Sequence, residues 1–311
     1  MTASVAVAVV SWNTRELLSA CLRSLEQDAR AGRAEVWVVD NGSSDGSAEL
    51  VGERFDWARL EQPGENLGFG RAVNLVAERT ELPWIAAANA DVELEPGALA
   101  ALIDSGGARE RAGAVAPQLL LPDGSVQHSV HPFPTPGFTL AFNLGLHRLS
   151  PRAAERLCLE GFWDPTQARP VPWAVGALLL LRREAFDAVG GFDPEMWMYA
   201  EDLDLGWRLQ AAGWETFYEP AARVRHAHGA AARQRFGDDQ TAAWMAATYA
   251  WLARTRGRLA ARAVGAVNVA GAAVRWAAFG ALARVAPRRW SGPALNSRRW
   301  LRAHRAGLRG L

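Results

Sequence analysis

Three absences limit what this 311-residue chain can be. All 34 of its basic residues are arginines, and the lack of lysine excludes a phosphate-binding loop built on glycine and lysine. The only two cysteines, Cys21 and Cys158, lie far apart without the spacing of metal ligands, so we interpret them as reduced, buried residues of a cytoplasmic protein. The N-terminus lacks the basic flank of a signal peptide, and residues 4–10 are interpreted as a buried strand.

Acidic residues are also missing from the C-terminal part of the chain. After Asp239 there are 13 arginines and no acid, whereas residues 1–239 contain 21 arginines and 33 acidic residues. Arginine interrupts the apolar segment from Arg258 to Arg284, which disfavours a membrane-spanning helix. Three interpretations stay open for residues 240–311: a basic amphipathic helix on an anionic bilayer, a surface that docks on the rest of the chain, and an interface in a homo-oligomer. No motif that reads nucleic acid is present, so nucleic acid is not an expected partner.

The order of apolar and polar residues is that of an α/β domain. Half of the residues are apolar, which is enough for a substantial core. Apolar strands at residues 4–10, 35–39 and 84–88 each end in polar residues, and helical patterns follow. This alternation predicts a mostly parallel mixed sheet flanked by helices. Ligands of such sheets bind at the carboxyl ends of the strands, so the polar residues there are candidate binding residues.

The pattern changes after residue 105. Residues 128–170 are rich in proline, histidine and aromatic residues with little periodicity, which is typical of a binding loop or a mobile segment. Further on, the carboxylates of Glu201, Asp202 and Asp204 fall within four residues at a predicted helix start. Acidic residues at such a place can simply cap the helix and favour its dipole, so this cluster alone does not establish catalysis.

Six short motifs follow one another along residues 4–232. They are Val9-Val10-Ser11-Trp12-Asn13, Val38 to Ser47, Glu65 to Gly70, Asn89-Ala90-Asp91, Gly190-Gly191-Phe192-Asp193 and Glu201-Asp202-Leu203-Asp204. This ordered set resembles glycosyltransferase family 2, in particular its rhamnosyltransferase-like members. The resemblance implies one α/β domain of the GT-A fold over residues 1–238, with a nucleotide-binding half at about 1–105 and an acceptor half at about 106–238. A basic helical extension would follow at 239–311.

The resemblance also implies a donor site at the strand ends. The carboxylate of Asp40 would accept a hydrogen bond from the N3–H of uracil or thymine, although Asp40 to Ser44 alone would be an ordinary turn. The residues expected to bind the nucleotide sugar are Ser11, Trp12, Asn13, Asp40, Asn66, Arg71, Asn89 and Ala90.

A divalent metal, Mg²⁺ or Mn²⁺, is implied by the motif Asn89-Ala90-Asp91, which matches the D-x-D motif of the family with asparagine in the first position. Asp91 would bind the ion, which neutralises the charge of the leaving diphosphate. Asn89 would offer a carbonyl oxygen or bond the sugar. His226 would complete the coordination, with His228 as a competing candidate.

Catalysis is assigned by the same resemblance to the acidic cluster. Asp202 would be the base that takes the proton of the acceptor hydroxyl, because a carboxylate in a partly dry cleft has a raised pKa. Glu201 would orient the acceptor, and Asp204 is expected to be structural. The wall for the sugar or acceptor would comprise Trp173, Gly176, Trp197 and Tyr199, although the aromatic residues among them equally suit the core.

The implied activity is that of an inverting, metal-dependent glycosyltransferase. It would transfer L-rhamnose from dTDP-rhamnose to a glycan or lipid-linked acceptor of cell-surface polysaccharide synthesis, at the inner face of the cell membrane. Two alternatives are a catalytically silent scaffold of the same fold that binds glycans or partners, and a sugar nucleotidyltransferase. The absence of lysine disfavours the second alternative.

Overall fold

The structure, a computed structural model, describes residues 4–227, 229 and 234–311, apart from the side chain of Asp238. The candidate ligand His228 lies outside the described residues. The chain forms two compact units. The first unit comprises Met1–Phe133 and Leu157–Ala231, and the second unit comprises Pro134–Arg156 and Ala232–Leu311.

Eleven strands and eleven α-helices organise the described residues. The strands are β1 (Val5–Ser11), β2 (Ala34–Asp40), β3 (Arg59–Glu61), β4 (Trp84–Asn89), β5 (Val92–Leu94), β6 (Ala112–Leu120), β7 (Val130–His131), β8 (Arg169–Val171), β9 (Trp173–Ala174), β10 (Leu178–Arg182) and β11 (Glu215–His226). The helices are α1 (Arg15–Arg30), α2 (Ser47–Arg54), α3 (Phe69–Ala77), α4 (Ala98–Gly107), α5 (Pro136–Asn143), α6 (Pro151–Arg156), α7 (Arg183–Ala188), α8 (Glu201–Ala211), α9 (Gln240–Arg256), α10 (Arg258–Val285) and α11 (Pro287–Leu308).

The first unit is built on a nine-stranded mixed sheet in the order β3-β2-β1-β4-β10-β6-β11-β5, with β8 paired to β11. The strands from β3 to β4 are all parallel, β10 runs antiparallel to both of its neighbours, and β11 is again parallel to β6. This sheet, flanked by helices and followed by a helical extension, confirms the predicted fold class.

Side-chain alternation along β1 explains why both faces of the sheet are covered. Val5, Val7 and Val9 belong to one buried cluster, which contains the apolar face of α1. Ala6 and Ala8 belong to the opposite cluster, together with apolar residues of α3. A strand buried on both faces reads as a continuous apolar run, which is the pattern of residues 4–10.

In the second unit, α5 packs against α10, and the three C-terminal helices α9, α10 and α11 pack against one another. A chain of hydrogen bonds between polar side chains crosses its interior. The Asn143 amide donates to Asn268 Oδ1 (2.9 Å), the Asn268 amide donates to the Tyr249 hydroxyl (3.3 Å), and that hydroxyl bonds His304 Nδ1 (2.8 Å). Burial lowers the pKa of His304 to about 4, so this imidazole is neutral at physiological pH. The network therefore joins α5 to α9, α10 and α11, and the guanidinium of Arg275 also donates to Asn143.

Two features differ from the sequence-based expectations. The prediction assigns residues 134–156 to the acceptor half, whereas the structure joins them to the C-terminal helices. The segment 128–170, expected to be irregular, contains α5 and α6.

One helix within the described residues, α10, is long and apolar enough to cross a membrane by length and composition alone. The sequence analysis disfavours a membrane-spanning helix here because arginines interrupt the apolar segment. In the structure, Arg258, Arg262 and Arg284 lie near the ends of α10, and Arg275 is the only charged residue between Arg262 and Arg284.

Candidate active site

The carboxyl ends of β1, β2 and β4 bring the predicted donor residues together. Ser11 pairs with Asp40 across β1 and β2, and Val10 pairs with Asn89 across β1 and β4. The backbone N–H of Ala90 donates to the carbonyl of Val10 at 3.1 Å, which fixes the residues after β4 beside β1. Parallel pairing thus makes one cluster of motifs that are up to 80 residues apart in the chain.

The carboxylate of Asp40 is buried at the end of β2. Its Oδ2 atom accepts a hydrogen bond from the Ser43 N–H at 3.1 Å, which forms the expected turn. Its Oδ1 atom is also buried and has no hydrogen-bond partner among the described residues. A buried carboxylate oxygen without a donor is costly unless a ligand supplies one, so this atom suits the N–H of a pyrimidine base.

Asn13 fixes the loop that contains Asp40. Its backbone has a positive φ of 51°, a conformation that asparagine tolerates better than most residues. Its Oδ1 atom accepts from the Ser44 N–H at 2.8 Å, and its own N–H donates to Ser43 Oγ at 2.9 Å. The side chain of Trp12 beside it is half-buried. Asn13 therefore supports the Asp40 loop through its contacts with Ser43 and Ser44.

The turn at Asn66 is held by a residue whose role the sequence did not reveal. The Asn41 amide donates to the carbonyl of Gly68 at 3.1 Å, and Asn66 Oδ1 accepts from the Gly68 N–H at 2.9 Å. Gly68 has a φ of 79°, and a Cβ there would collide with the carbonyl of Trp197. Only glycine satisfies both conditions. Arg71 is exposed in the first turn of α3, just after this turn.

Asp91 and His226 face each other in the buried interior. Asp91 Oδ1 and His226 Nε2 are 3.4 Å apart, and the Ala227 N–H donates to the carbonyl of Asp91 at 2.9 Å. His226 Nδ1 lies 2.8 Å from Gln127 Oε1. In the tautomer in which Nδ1–H donates to Gln127, the lone pair of Nε2 points towards the Asp91 carboxylate.

This pair fits a divalent cation. Two adjacent ligands of an octahedral Mg²⁺ are roughly 3 Å apart, close to the observed separation. Within the described part of the chain, no group of three or more histidine, cysteine and acidic side chains gathers as a metal site. A cation at Asp91 and His226 would therefore take its other ligands from diphosphate oxygens and water, as Mg²⁺ commonly does.

Two strained residues aim the acidic cluster. Tyr199 and Ala200 have positive φ values of 68° and 66°, and α8 begins immediately after them. Consecutive residues of this kind are costly and are found where the surrounding structure enforces them, often at functional sites. The Asp204 N–H donates to the carbonyl of Ala200 at 2.8 Å, so the helix starts rigidly at Glu201.

Asp202 is held by two backbone donors. Its Oδ2 atom accepts from the Gly176 N–H at 2.9 Å, and its Oδ1 atom accepts from the Leu203 N–H at 2.8 Å. A Cβ on Gly176 would lie 3.3 Å from the Asp202 Cβ, so a larger residue would crowd the carboxylate. The next carbonyl, that of Ala177, accepts from the Asn89 N–H at 2.9 Å. Two neighbouring residues thus connect the predicted base with the predicted metal motif.

The pKa values of the neighbouring carboxyl groups of Glu201 and Asp202 depend on each other. Burial, and then the charge of Asp202, raise the pKa of Glu201 to about 8. Burial also raises the pKa of Asp202, while the hydrogen bonds from Gly176 and Leu203 oppose that rise. Because the negative charge of Asp202 contributes to the shift of Glu201, the pair ionises first at Asp202. With a pKa of about 8, Glu201 therefore carries a proton at neutral pH.

Asp204 stabilises the start of α8 rather than facing the site. Asp204 is buried and forms an ion pair with Arg208 at 2.6 Å, which confirms the expected structural role. Arg208 also donates to the carbonyls of Val189 and Gly191, at 2.7 Å each, and so attaches α8 to the preceding turn.

Trp173 does not line an open wall. Its side chain is buried, its Nε1 donates to the carbonyl of Pro132 at 3.1 Å, and its Cβ packs where Gly206 lacks one. Trp173 therefore packs against α8 at Gly206. The other aromatic residues of the predicted wall, Trp197 and Tyr199, are half-buried, and Trp197 Nε1 donates to the carbonyl of Asn66 at 3.1 Å.

Two positioning contacts escaped the sequence analysis. Gln127 orients His226, although it lies at the edge of a segment without periodicity. Asn74 brackets Phe192, donating to its carbonyl at 2.8 Å and accepting from its N–H at 2.9 Å. No spacing rule marks either contact, because both join residues about 100 positions apart.

Comparison with known proteins decides the family. Residues 3–247 match the family model described as "Glycosyltransferase like family 2". The chain belongs to glycosyltransferase family 2. This glycosyltransferase is 37% identical to the N-acetylglucosaminyl-diphospho-decaprenol L-rhamnosyltransferase of Mycobacterium tuberculosis, over 81% of its own length and 85% of that protein. It is 34% identical to the rhamnosyltransferase WbbL of Escherichia coli, over 32% of its own length and 34% of that protein.

A solved structure supports the fold of the glycosyltransferase. It is similar to the mannosyltransferase PcManGT of Pyrobaculum calidifontis, solved in complex with GDP-mannose and Mn²⁺, with a TM-score of 0.62 and 18% identity. The match covers the whole of this chain and 86% of that chain. The expected family and GT-A fold are confirmed.

Proposed function

We propose that this glycosyltransferase transfers L-rhamnose from dTDP-rhamnose, with inversion, to a lipid-linked acceptor of cell-surface polysaccharide synthesis. The observation that carries the proposal is the arrangement of Asp202, held by Gly176, next to the strand end that bears Asn89 and Asp91. The sugar and the lipid acceptor are suggested by the similarity to the mycobacterial rhamnosyltransferase. The intact set of Asp40, Asp91, Asp202 and His226 argues against a catalytically silent scaffold, and family membership argues against a nucleotidyltransferase.

The donor is bound at the strand ends in this proposal. Asp40 Oδ1 accepts the N3–H of the thymine ring, with Ser11, Trp12 and Asn13 beside the base. Asn66 and Arg71 lie near the nucleotide, and Asn89 and Ala90 lie near the sugar and diphosphate. Asp91 and His226 would hold Mg²⁺ or Mn²⁺, which when bound neutralises the charge that develops on the departing diphosphate.

Asp202 and Glu201 act on the acceptor. The acceptor hydroxyl oxygen forms a bond to the anomeric carbon while the bond from that carbon to the diphosphate oxygen breaks. Asp202 takes the proton of the hydroxyl, and the electron pair of the broken bond leaves with the diphosphate. Glu201 stays protonated near neutral pH and can donate a hydrogen bond to the acceptor. Trp197, Tyr199 and Gly176 would line this acceptor site.

A transfer assay tests the proposal. The full chain is incubated with dTDP-rhamnose, UDP-glucose or GDP-mannose, Mg²⁺ or Mn²⁺, and a short-chain N-acetylglucosaminyl diphospholipid. We expect product only from dTDP-rhamnose, inverted at the anomeric carbon, and no product after chelation of the metal. Transfer from another donor instead, or retention of configuration, would overturn the assignment.

We further propose that the enzyme is cytoplasmic and works at the inner face of the cell membrane. A lipid-linked acceptor lies in a bilayer, and residues 240–311 supply 13 arginines and no acid to attract anionic lipid. Cys21 and Cys158 are buried and form no disulfide, which suits a reducing compartment.

A further inference from the structure

We propose that residues 140–149 and the exposed strip of α10 form one lipid-binding surface, which lies in the headgroup region of an anionic bilayer. This proposal deepens the proposed function, since it names how the enzyme reaches a lipid-linked acceptor. The segment 140–149 is outside the C-terminal extension and would not be assigned to a membrane contact from the sequence.

Large apolar side chains are concentrated on the surface of the second unit. The exposed ones within residues 140–149 are Leu140, Phe142, Leu144, Leu146 and Leu149. Leu144 is 64% exposed and Leu149 is 82% exposed. Five such side chains in ten residues are unusual for a surface in water, where contiguous apolar patches mark interaction sites.

Helix α10 carries a second exposed apolar group. Val274, Leu282 and Val285 are exposed, Val285 to 87%. Leu259 and Trp276 of the same helix are exposed as well, and the remaining exposed positions along its middle are mainly alanine. One side of such a helix can pack against the protein, and the other side can contact an apolar environment such as lipid.

Asn143 joins the two groups into one surface. It bonds Asn268 on α10, it accepts from Arg275 Nη1 at 3.1 Å, and its side chain occupies the space where Gly271 has no Cβ. Gly271 and Arg275 are followed, at spacings of three or four residues, by Ala278, Leu282 and Val285. Residues at these spacings share one strip of a helix, so the exposed strip continues the strip on which α5 packs.

The same polar contacts favour a helix that lies on the bilayer over one that crosses it. Asn268 and Arg275 use their side chains to bond Asn143 and Tyr249. A spanning α10 would break these bonds or carry them, with a charged guanidinium, into hydrocarbon, which is strongly unfavourable. An interfacial position keeps them intact.

Charge complementarity selects an anionic bilayer as the occupant. The second unit contains 18 arginines and three acidic residues, a net charge of +15. Exposed arginines of α11 include Arg298, Arg299 and Arg302. Apolar side chains combined with arginines are the composition of segments that insert shallowly and are attracted by anionic lipid.

Vesicle co-sedimentation of the full chain tests this surface. Wild type is compared with the double variants Leu144→Glu/Leu149→Glu and Leu282→Glu/Val285→Glu, on phosphatidylcholine vesicles with and without anionic phosphatidylglycerol. The control is Val126→Glu/Leu157→Glu, which alters exposed apolar residues of the first unit and changes the net charge equally. Thermal unfolding verifies that all variants are folded.

We expect wild type to bind anionic vesicles and to be released by salt and by alkaline carbonate. Each test variant should bind at least about tenfold more weakly than the control. Equal binding of test and control variants would overturn the proposal, as would resistance to carbonate, which indicates a spanning helix. A change from dimer to monomer in sedimentation, with vesicle binding unaltered, would assign the surface to a second copy of the chain instead.

Transfer to a short-chain, water-soluble acceptor is measured on the same samples. Loss of vesicle binding with retained soluble transfer supports both the surface and the proposed function. Absence of rhamnosyl transfer in every sample, with the binding pattern as expected, would reject the proposed function and leave the surface in place.

Discussion

The two units of the chain differ in charge and in what they expose. The first unit contains 16 arginines and 30 acidic residues, a net charge of −14, whereas the second carries +15. Among the described residues, two large apolar side chains are exposed in the first unit and eleven in the second. The first unit thus hides its apolar residues, and the second presents them together with arginines.

This difference suggests a division of labour. A unit with a net charge of −14 repels a diphosphate at long range, so it needs local compensation where the donor binds. In the proposed function, a cation held by Asp91 and His226 would provide that compensation. The second unit, which has a positive net charge, attracts anionic lipid, and its exposed apolar residues suit contact with a lipid surface. Chemistry and attachment should therefore be separable by mutation.

Replacing the base should have the largest effect. Asp202→Asn keeps the shape of the side chain and one of its two bonds from the Gly176 and Leu203 N–H groups, because the amide has a single accepting oxygen, and it removes the proton acceptor. We expect kcat to fall by about 10³. Vesicle binding should stay at the wild-type level, which would sharpen the contrast between the units. Retention of more than a tenth of the activity would show that another group is the base.

Glu201 should make stability depend on pH. Its folded-state pKa of about 8 exceeds the ordinary value of 4.5, so between these values the folded chain keeps a proton that the unfolded chain releases. Its contribution to stability is thus present below pH 4.5 and is lost as the pH rises to about 8.

Urea unfolding of wild type and Glu201→Gln between pH 5.5 and 8.5 measures this loss. The variant should have the flatter profile because it cannot ionise. Parallel profiles for the two proteins would show that Glu201 is not buried as a protonated acid.

Gln127 should influence metal binding through His226. Gln127→Leu removes the acceptor of the Nδ1–H, and we expect Mn²⁺ to bind 10- to 100-fold more weakly in the presence of dTDP, as measured from the free Mn²⁺ signal in electron paramagnetic resonance. Gln127→Glu restores an acceptor and serves as the matched control. If both variants weaken Mn²⁺ binding equally, Gln127 acts through packing alone.

Asn143 should matter to the second unit only. Asn143→Ala leaves Asn268 and Arg275 without their partner, and we expect a loss of about 1–3 kcal/mol of stability together with weaker vesicle binding. Donor binding, followed by thermal shift with a thymidine diphosphate sugar, should not change. A large change in donor binding would break the proposed separation.

Ala200→Gly should have the smallest effect. Glycine adopts the positive φ of 66° without the strain that alanine suffers. Relief of that strain should stabilise the folded state by roughly 0.5–1 kcal/mol, visible as a higher unfolding temperature. Asp202 should keep its hydrogen bonds, so kcat should change little. Destabilisation would mean that the surroundings do not enforce this backbone conformation.

Apolar runs and short motifs in the sequence predicted the strands, the polar strand ends and the start of α8. The apolar runs of β1, β2 and β4, with polar residues at their ends, placed Asp40, Asn89 and Asp91 at one edge of the sheet. The helix start at Glu201 was also predictable, because acidic residues and a glycine-rich turn mark it.

Long-range contacts were not predictable in the same way. Asn143 and Asn268 are 125 residues apart, and neither lies in a motif. The union of residues 134–156 with the C-terminal helices therefore left no trace in periodicity. The same holds for Gln127, whose part in the site depends on a single side-chain hydrogen bond to His226.

The most direct test of the division of labour is one experiment with two acceptors. Rhamnosyl transfer by wild type, Asp202→Asn and Leu144→Glu/Leu149→Glu is measured with a water-soluble acceptor and with the same head group on a long lipid in anionic vesicles. We predict that Asp202→Asn loses about 10³-fold in kcat on both acceptors while it stays bound to vesicles, and that the double variant is active on the soluble acceptor alone. Equal loss on both acceptors by the double variant would contradict the account, because attachment and chemistry would then not be separable.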